Sequence, residues 1–413
     1  MLFEEMITQE KKDAFMEKRK IKTKYEKEFV EFTENYIYSE EFDNDIKRLI
    51  NKDYYFDLPT CFLIRKSLSN RRRKVFKFND KEKIVLQFLN YLLIRKYNNI
   101  FSDNLYSARI ENRTRNLFTK IKNLDPERKL YAVKSDIHRY SESIDLDILE
   151  KQLWKYCSDE PEFIEFIMWL MRRGKYYYKD EVVEAYTSVM GGNPTSAFFY
   201  NLNLLEVDKV MTERSILYCR YADDICIMNE TKEEAEENMK LLVKMVRDLH
   251  LEFNDDKSAI VGPGEELDLL GIKFANGYVD IADNTFSKVT NKFKHRANSL
   301  NRGVRKGRYP RERAAEMMAR IMDGYLYGYR YVDTEEESYS WIERVFPTIT
   351  TADRLHIIDK VSEDCIRFVG TGRKTNAKYR ITYDDIKRLG FRPLVHSYYH
   401  RFDDESVLKP ADR

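Results

Sequence analysis

No C-x-x-C pair occurs in this chain, and its five cysteines (Cys61, Cys157, Cys219, Cys226 and Cys365) are scattered and odd in number. That excludes a disulfide framework and a zinc knuckle as the organising feature. The six histidines are dispersed as well; His396 and His400 stand at i, i+4 spacing, but nothing nearby completes a metal site. No apolar run approaches the ~18 residues of a membrane span. The opening MLFEEMITQEKKDAFMEKRK mixes charges of both signs where a signal peptide needs an apolar stretch, so the expectation is a cytoplasmic protein with no membrane partner. Internal repeats and low-complexity tracts are absent too. With 413 residues, 43% hydrophobic and 34% charged, the chain has enough apolar surface for a large core spread over two or three subdomains.

Net charge is low at +2, but its distribution is not even. Leu58 to Phe78 holds seven basic residues and no acidic one, and Lys288 to Arg313 holds ten against a single Glu. A solvated helix face usually mixes signs. Two unmixed basic blocks in a nearly neutral chain point to phosphate contacts.

Residues 1–50 read as mostly helical, and DKEKIVLQFLNYLLIRKY (80–97) as a helix that Asp80 can cap. KLYAVKSDI (129–137) reads as a strand ending on an aspartate. DLDILEKQLWKYC (145–157) and PEFIEFIMWLMRRGKYYY (161–178) read as helices, and SVMGGNPTS as a loop leading into another. SILYCRYADDICIM (215–228) is strand, turn, strand, followed by a helix over 231–250 and short strands with Gly turns. This order suits an α+β fold, an antiparallel sheet with helices on one face. Beyond residue 286 or so the strands stop.

Within that frame, Asp136 ends one predicted strand, while Asp223 and Asp224 sit at the tip of a predicted hairpin. A solvated turn would accept the Asp pair without comment. In a palm-type sheet, however, the two places adjoin. Three carboxylates there suit two Mg2+ ions about 4 Å apart, with Mn2+ as a substitute, clamping the entering and leaving oxygens of an in-line displacement.

These segments together resemble the bacterial reverse transcriptases related to group II intron and retron enzymes. NRRRKVFKFNDKEKIVLQFLNYLL resembles the family's fingers segments, FSDNLYSARIENRT its FSxxSYGFRPGRS stretch, and VKSDIHRYSESID its first catalytic motif. GGNPTSAFFYNLNLLEVD resembles the QGxPxSPLLANIxLxxLD loop and helix, and YADD is the second catalytic motif. LHLEFNDDKSAIV and LDLLGIKF resemble the LxLNxxKT and FLGxxF segments. YxDD alone is weak; seven ordered segments are specific.

The resemblance implies a right-hand polymerase fold with fingers, antiparallel-sheet palm and helical thumb. Its implied segments are an N-terminal helical extension (1–55), fingers (56–128), palm with part of the fingers (129–285), basic thumb (286–330) and helical C-terminal extension (331–413). It implies that Asp136, Asp223 and Asp224 ligate metal, with Lys257 near the triphosphate. Arg73, Lys77, Arg109, Tyr140, Ser141, Gly192 and Pro194 would line the nucleotide site, and Leu270 and Gly271 the hairpin that supports the primer. Lys288, Lys292, Lys294, Arg296, Arg302, Arg305, Lys306 and Arg308 would follow a template–primer duplex by phosphate contacts. The implied activity is RNA-directed DNA synthesis from dNTPs.

Two departures stand out. Gly191 occupies the place of the family's glutamine, and the fifth residue after Asp136, where the family carries Phe or Tyr under the sugar, is Ser141. Tyr140 lies one place early and would face the other way on an extended segment. Either the backbone bulges to restore it or the gate against ribonucleotides is weakened; the expectation here is the weakened gate. These features look like the defence-associated, unknown-group bacterial enzymes. That likeness implies a small non-coding RNA as template partner, nascent DNA as product and a homo-oligomer as an open option. The alternatives are a template-independent or ribonucleotide-using polymerase on the same site, and a catalytically idle RNA-binding scaffold.

Overall fold

The computed structural model describes residues 1–21, 27–65, 72–110, 114–124, 129–254, 258–275, 278–330, 340–402 and 411–412. The chain divides into two compact units, Met1–Pro263 and Gly264–Arg413.

The first unit opens with helices α1 (Leu2–Met6), α2 (Gln9–Ile21), α3 (Lys27–Ile37) and α4 (Glu40–Ile50). Strands β1 (Thr60–Arg65) and β2 (Arg72–Lys77) follow, then α5 (Asp80–Lys96), α6 (Thr114–Lys122), β3 (Tyr131–Asp136), α7 (Tyr140–Ser143), α8 (Leu146–Tyr156) and α9 (Pro161–Arg172). Next come β4 (Lys175–Tyr178), β5 (Glu181–Glu184), α10 (Ser196–Asn203), α11 (Leu205–Glu213), β6 (Leu217–Tyr221), β7 (Asp224–Asn229), α12 (Lys232–Asp248) and β8 (Ala259–Val261).

Sequence and structure differ at two instructive places. Asn79, not Asp80, caps α5: its side chain accepts from the Glu82 N–H, and Asp80 becomes the first helical residue. The helix expected over 161–178 stops at Arg172, because Gly174 adopts φ +60, the left-handed conformation that ends helices. The tyrosines behind it then pair as β4, where aromatic side chains are at home.

Among the described residues, two four-stranded sheets organise this unit. One has the order β2-β1-β4-β5, antiparallel apart from a single parallel point between Thr60 and Tyr177. The other is antiparallel throughout, in the order β6-β7-β3-β8. Helix α12 packs across β3 and β7, and α11 against β6, so the helices line one face as the α+β pattern requires. Ser135 points to that face, since its hydroxyl lies 3.7 Å from Met239 Sδ on α12. Side chains alternate along a strand, so Asp136 and its register partner Asp224 stand on the face away from α12.

The second unit holds β9 (Leu267–Leu269), β10 (Ile272–Ala275) and β11 (Tyr278–Ile281) as an antiparallel sheet, then α13 (Asp283–Arg305) and α14 (Arg311–Leu326). The short strand β12 (Tyr329–Arg330), α15 (Trp341–Val345), α16 (Asp353–Thr371), α17 (Tyr383–Arg388), α18 (Leu394–His400) and β13 (Ala411–Asp412) complete it. Beyond residue 286 it is helical as expected, apart from the two-residue strands β12 and β13, which pair in parallel and which the sequence pattern did not announce.

Candidate active site

β6 and β7 are joined by a two-residue hairpin. Tyr221 pairs with Asp224, leaving Ala222 and Asp223 as the turn. Ala222 adopts φ 57, at the first central position, where glycine is the usual occupant. Holding alanine there costs about 1–2 kcal/mol, so the surroundings must impose it. They do so from three sides. The Ala222 N–H donates to Ser107 Oγ (3.0 Å), the Ala222 carbonyl accepts from Arg220 (3.1 Å), and the Asp223 carbonyl accepts from the Ile137 N–H (3.4 Å).

Arg220 is the centre of this clamp. Its guanidinium makes two 2.6 Å hydrogen bonds to the Asp208 carboxylate, and both side chains are fully buried. A third contact reaches the Asn201 carbonyl at 3.2 Å, and Tyr218 donates to Asp208 at 2.6 Å. Burial works against the charge on Arg220, but Asp208 more than offsets it and holds the guanidinium above its ordinary pKa. Asn201 and Ser107 bond each other as well, Nδ2 to carbonyl at 2.9 Å and hydroxyl to Oδ1 at 3.2 Å. The backbone of the turn is thereby fixed from beneath.

Asp136 faces Asp224 directly across β3 and β7, so the two side chains are same-face neighbours. The strand end carrying Asp136 is also stitched to 252–254. The Asn254 N–H donates to the Asp136 carbonyl (2.8 Å) and the Asn254 side chain to Asp136 Oδ1 (3.3 Å). Among the described residues, no three His, Cys, Asp or Glu side chains gather into a ready-made metal cage. Two facing carboxylates with a third on the adjoining turn nevertheless fit Mg2+, a hard cation that takes few carboxylates, keeps waters and completes its shell with phosphate oxygens.

Strand β2 lies against the loop before α10. The Phe76 N–H donates to the Gly191 carbonyl at 2.7 Å. Gly192, at φ +100, would press a Cβ to 2.6 Å from the Phe76 carbonyl and 2.9 Å from Val75 Cγ1, so glycine is required there for close approach. Asn193 shapes the rest of the loop, accepting from the Thr195 N–H (3.0 Å) and hydroxyl (2.8 Å), with Pro194 between them. Arg73 is exposed on β2. Lys77 is four residues further along, roughly 13 Å by strand rise, and lines a groove with Asp57, Thr60 and Tyr177. Lys74 turns instead to Tyr176 and Tyr186, its ammonium 5.6 and 5.5 Å from their ring centroids.

Three expected nucleotide contacts have other partners. Arg109 clasps its own loop, bonding Asn98 Oδ1 (2.9 Å), the Asn98 carbonyl (3.0 Å) and the Ser102 carbonyl (2.7 Å), and burial lowers its pKa. Tyr140 is buried and donates to the Tyr200 carbonyl at 2.5 Å. Ser141 is half-buried, its carbonyl accepting from Tyr186 at 3.4 Å. The strand alternation used to place these two does not hold. Arg139 adopts φ 47, and Tyr140 begins one helical turn. Lys257 lies outside the described residues.

In the second unit all eight expected duplex contacts, Lys288, Lys292, Lys294, Arg296, Arg302, Arg305, Lys306 and Arg308, are exposed, while Val289, Phe293, Ala297 and Leu300 turn inward. Lys292 stacks 3.7 Å from the Tyr325 ring centroid, and burial lowers its pKa. Leu270 and Gly271 form a two-residue turn with φ 50 and 86.

Sequence reasoning missed Arg220, Asp208, Ser107 and Asn254. Arg220 carried a readable signal: a charged residue within an otherwise apolar strand calls for a buried partner of opposite charge.

The model of the family described as reverse transcriptase (RNA-dependent DNA polymerase) matches residues 64–274, just over half of the chain. No curated protein matches it. Among solved structures, the apo telomerase of Candida Tropicalis truncated from its C-terminal domain aligns at 9% identity and a TM-score of 0.37, over 56% of this chain and 57% of that chain. The match thus spans little more than half of that telomerase, and at such a TM-score it carries no argument. The family match covers both strands that bear Asp136 and Asp224 and the turn between Tyr221 and Asp224. This chain belongs to the reverse transcriptase family, the RNA-dependent DNA polymerases, which are nucleotidyltransferases.

Proposed function

We propose that this protein copies RNA into DNA at the strand ends carrying Asp136, Asp223 and Asp224. The observation that carries the reading is the register of Asp136 against Asp224, with Asp223 on a two-residue turn held by Arg220 and Ser107. The antiparallel sheet β6-β7-β3-β8 then serves as the palm. Strands β1 and β2 with α5 serve as fingers, α13 and α14 as a basic thumb, and the later helices as an extension.

Asp136, Asp223 and Asp224 would hold Mg2+, or Mn2+ in its place. Two such ions, when bound, lower the pKa of a primer hydroxyl and neutralise the charge of the triphosphate. Asn254 orients the Asp136 carboxylate, much as an outer partner fixes a metal ligand. Arg220 and Ser107 fix the turn, so the Asp223 and Asp224 carboxylates need not reorganise when charge develops. Arg73 supplies a forked cation toward the triphosphate, and Lys257 a second positive charge. The exposed face of α13 tracks a duplex through phosphates, without reading sequence.

A small non-coding RNA as template, a cytoplasmic setting and a part in antiphage defence complete the proposal; each rests on the resemblance of the motifs. Gly191 favours a second reading, untemplated addition by the same site, because no side chain at that place orders a template–nucleotide pair. The test is incorporation of labelled dNTPs or NTPs by the purified protein with its co-purifying RNA and Mg2+. DNA product absent from Asp223→Asn supports polymerisation, and its sequence separates copying from untemplated addition. Label only from NTPs, or none from either pool, would contradict DNA synthesis.

A further inference from the structure

A third unmixed basic block lies in the second unit. Cys365 to Tyr383 holds five Lys or Arg and no Asp or Glu, and it spans the end of α16 and the connection to α17. Helices α13, α14 and α16 pack on one another, and the connection lies at the same end of them as the turn after α13. Arg311 joins the two. Its guanidinium donates to the Val369 carbonyl at 3.1 Å and to Asn301 Oδ1 at 3.2 Å, and an ideal Cβ on Gly372 would fall 2.5 Å from it. The connection is a built structure. Ala377 is buried, and its carbonyl accepts from the Arg380 and Ile381 N–H groups at 3.0 and 3.1 Å. Arg367 on α16 reaches across to the Ile381 carbonyl at 3.2 Å.

What this connection turns outward is of one kind. Arg373, Lys374, Lys378 and Arg380 are all exposed, and none forms an ion pair among the described residues. Cations on the flanking helices behave differently: Arg367 pairs with Glu363 at 2.9 Å, Lys387 with Asp384 at 3.0 Å and Arg388 with Asp385 at 3.2 Å. The end of α13 and its turn add Arg305, Lys306 and Arg308, exposed as well. Cations gathered without carboxylates at one end of a unit attract a polyanion. Tyr379 stands among them, 76% exposed, where Ala377 has taken the inward place. The Lys378 ammonium lies 5.2 Å from its ring centroid, so an aromatic ring and a cation are offered together. A polyanion that also carries flat rings is a nucleic acid. Bases inside a duplex already stack on their neighbours, so an exposed ring suits an unpaired one. An acidic protein would use the cations and leave Tyr379 idle.

We propose that residues 373–380 form a docking surface for single-stranded nucleic acid, with a base stacked on Tyr379 and phosphates on Lys374 and Lys378. The inference stands apart from the polymerase reading, because binding is measured without nucleotides or Mg2+. The strand is an unpaired stretch of RNA or of DNA, and the experiment separates the two. The full chain, freed of co-purifying RNA, is titrated with labelled oligouridine, oligodeoxythymidine and an RNA–DNA duplex across a salt series. Tyr379→Ala should weaken single-strand binding about 5- to 100-fold, the worth of one stacked base, and leave duplex binding as it was. Tyr379→Phe keeps the ring and should bind as the wild type does. Lys374→Gln/Lys378→Gln should make the salt dependence of single-strand binding shallower by roughly 0.7 per lost contact. A larger Tyr379→Ala effect on oligouridine supports the surface as an RNA site, and a larger effect on oligodeoxythymidine supports it as a DNA site. Single-strand affinity unchanged in Tyr379→Ala overturns the proposal, as does an equal loss on the duplex with the fold intact by circular dichroism. Polyglutamate that displaces the strands as well as unlabelled RNA does would overturn it too, in favour of an acidic protein.

Discussion

At the scale of single residues, the proposed site rests on carboxylates whose positions are set by neighbouring side chains. Asn254 holds one oxygen of Asp136 at 3.3 Å. Asn254→Ala should weaken Mg2+-dependent incorporation by about 10- to 100-fold, the usual cost of losing an outer partner, and a Mg2+ titration should show the half-saturating concentration rising. Asp223→Asn should cost more than that ~100-fold, with no recovery at high Mg2+. Gly192→Ala tests a different kind of constraint. At φ +100, with the Phe76 carbonyl 2.6 Å from the new Cβ, it should destabilise the fold by about 1–3 kcal/mol, read as a lower urea midpoint at an unchanged slope.

At the scale of elements, the β6–β7 hairpin hangs on the buried Arg220–Asp208 pair. Breaking it by Arg220→Met leaves Asp208 charged and unpaired, which should cost about 3–5 kcal/mol. Replacing both partners with apolar residues should restore much of that stability. Incorporation should stay low in the double variant, because the Ala222 carbonyl has lost its donor. Equal recovery of both would mean the pair only supports folding. On α5, burial raises the Glu82 carboxyl to about 7 from its ordinary 4.5, while one oxygen accepts from the Asp57 N–H at 2.5 Å. The folded state holds this proton more tightly than the unfolded chain, so the stabilisation is complete below pH 4.5 and is lost as pH rises through about 7. Glu82→Gln should flatten stability across that window and exceed the parent at pH 8 by of order 2 kcal/mol, measured by urea unfolding at pH 5 and pH 8. The same elements show what the sequence could and could not disclose. Period and capping residues marked β3, α8 and α12 closely, since each follows a local rule. The end of α9 was missed because a single glycine, Gly174, outweighs a run of residues that would tolerate helix.

At the scale of the whole chain, the placement of Asp136 at a strand end and of Asp223 and Asp224 at a hairpin was legible, because each follows from contiguous residues. The clamp beneath it was not, because Ser107, Asn201, Asp208 and Arg220 come from separate segments that only tertiary structure unites. Tyr140 was misjudged for a related reason: strand alternation was extended past Asp136, where Arg139 breaks it. The second unit reads more simply, its basic residues exposed on α13 and the turn after it. Charge reversal of Lys306 and Arg308 should weaken binding to an RNA–DNA duplex uniformly across sequences and reduce the salt slope by roughly 1 per lost contact. A filter-binding series across salt would show it. The most direct measurement of the central claim is extension of a DNA primer on an RNA template of known sequence, with Mg2+ and the four dNTPs, followed by sequencing of the product. The account predicts DNA complementary to the template from the wild-type protein and none from Asp223→Asn. The same product from Asp223→Asn, or strands unrelated to the template, would contradict it.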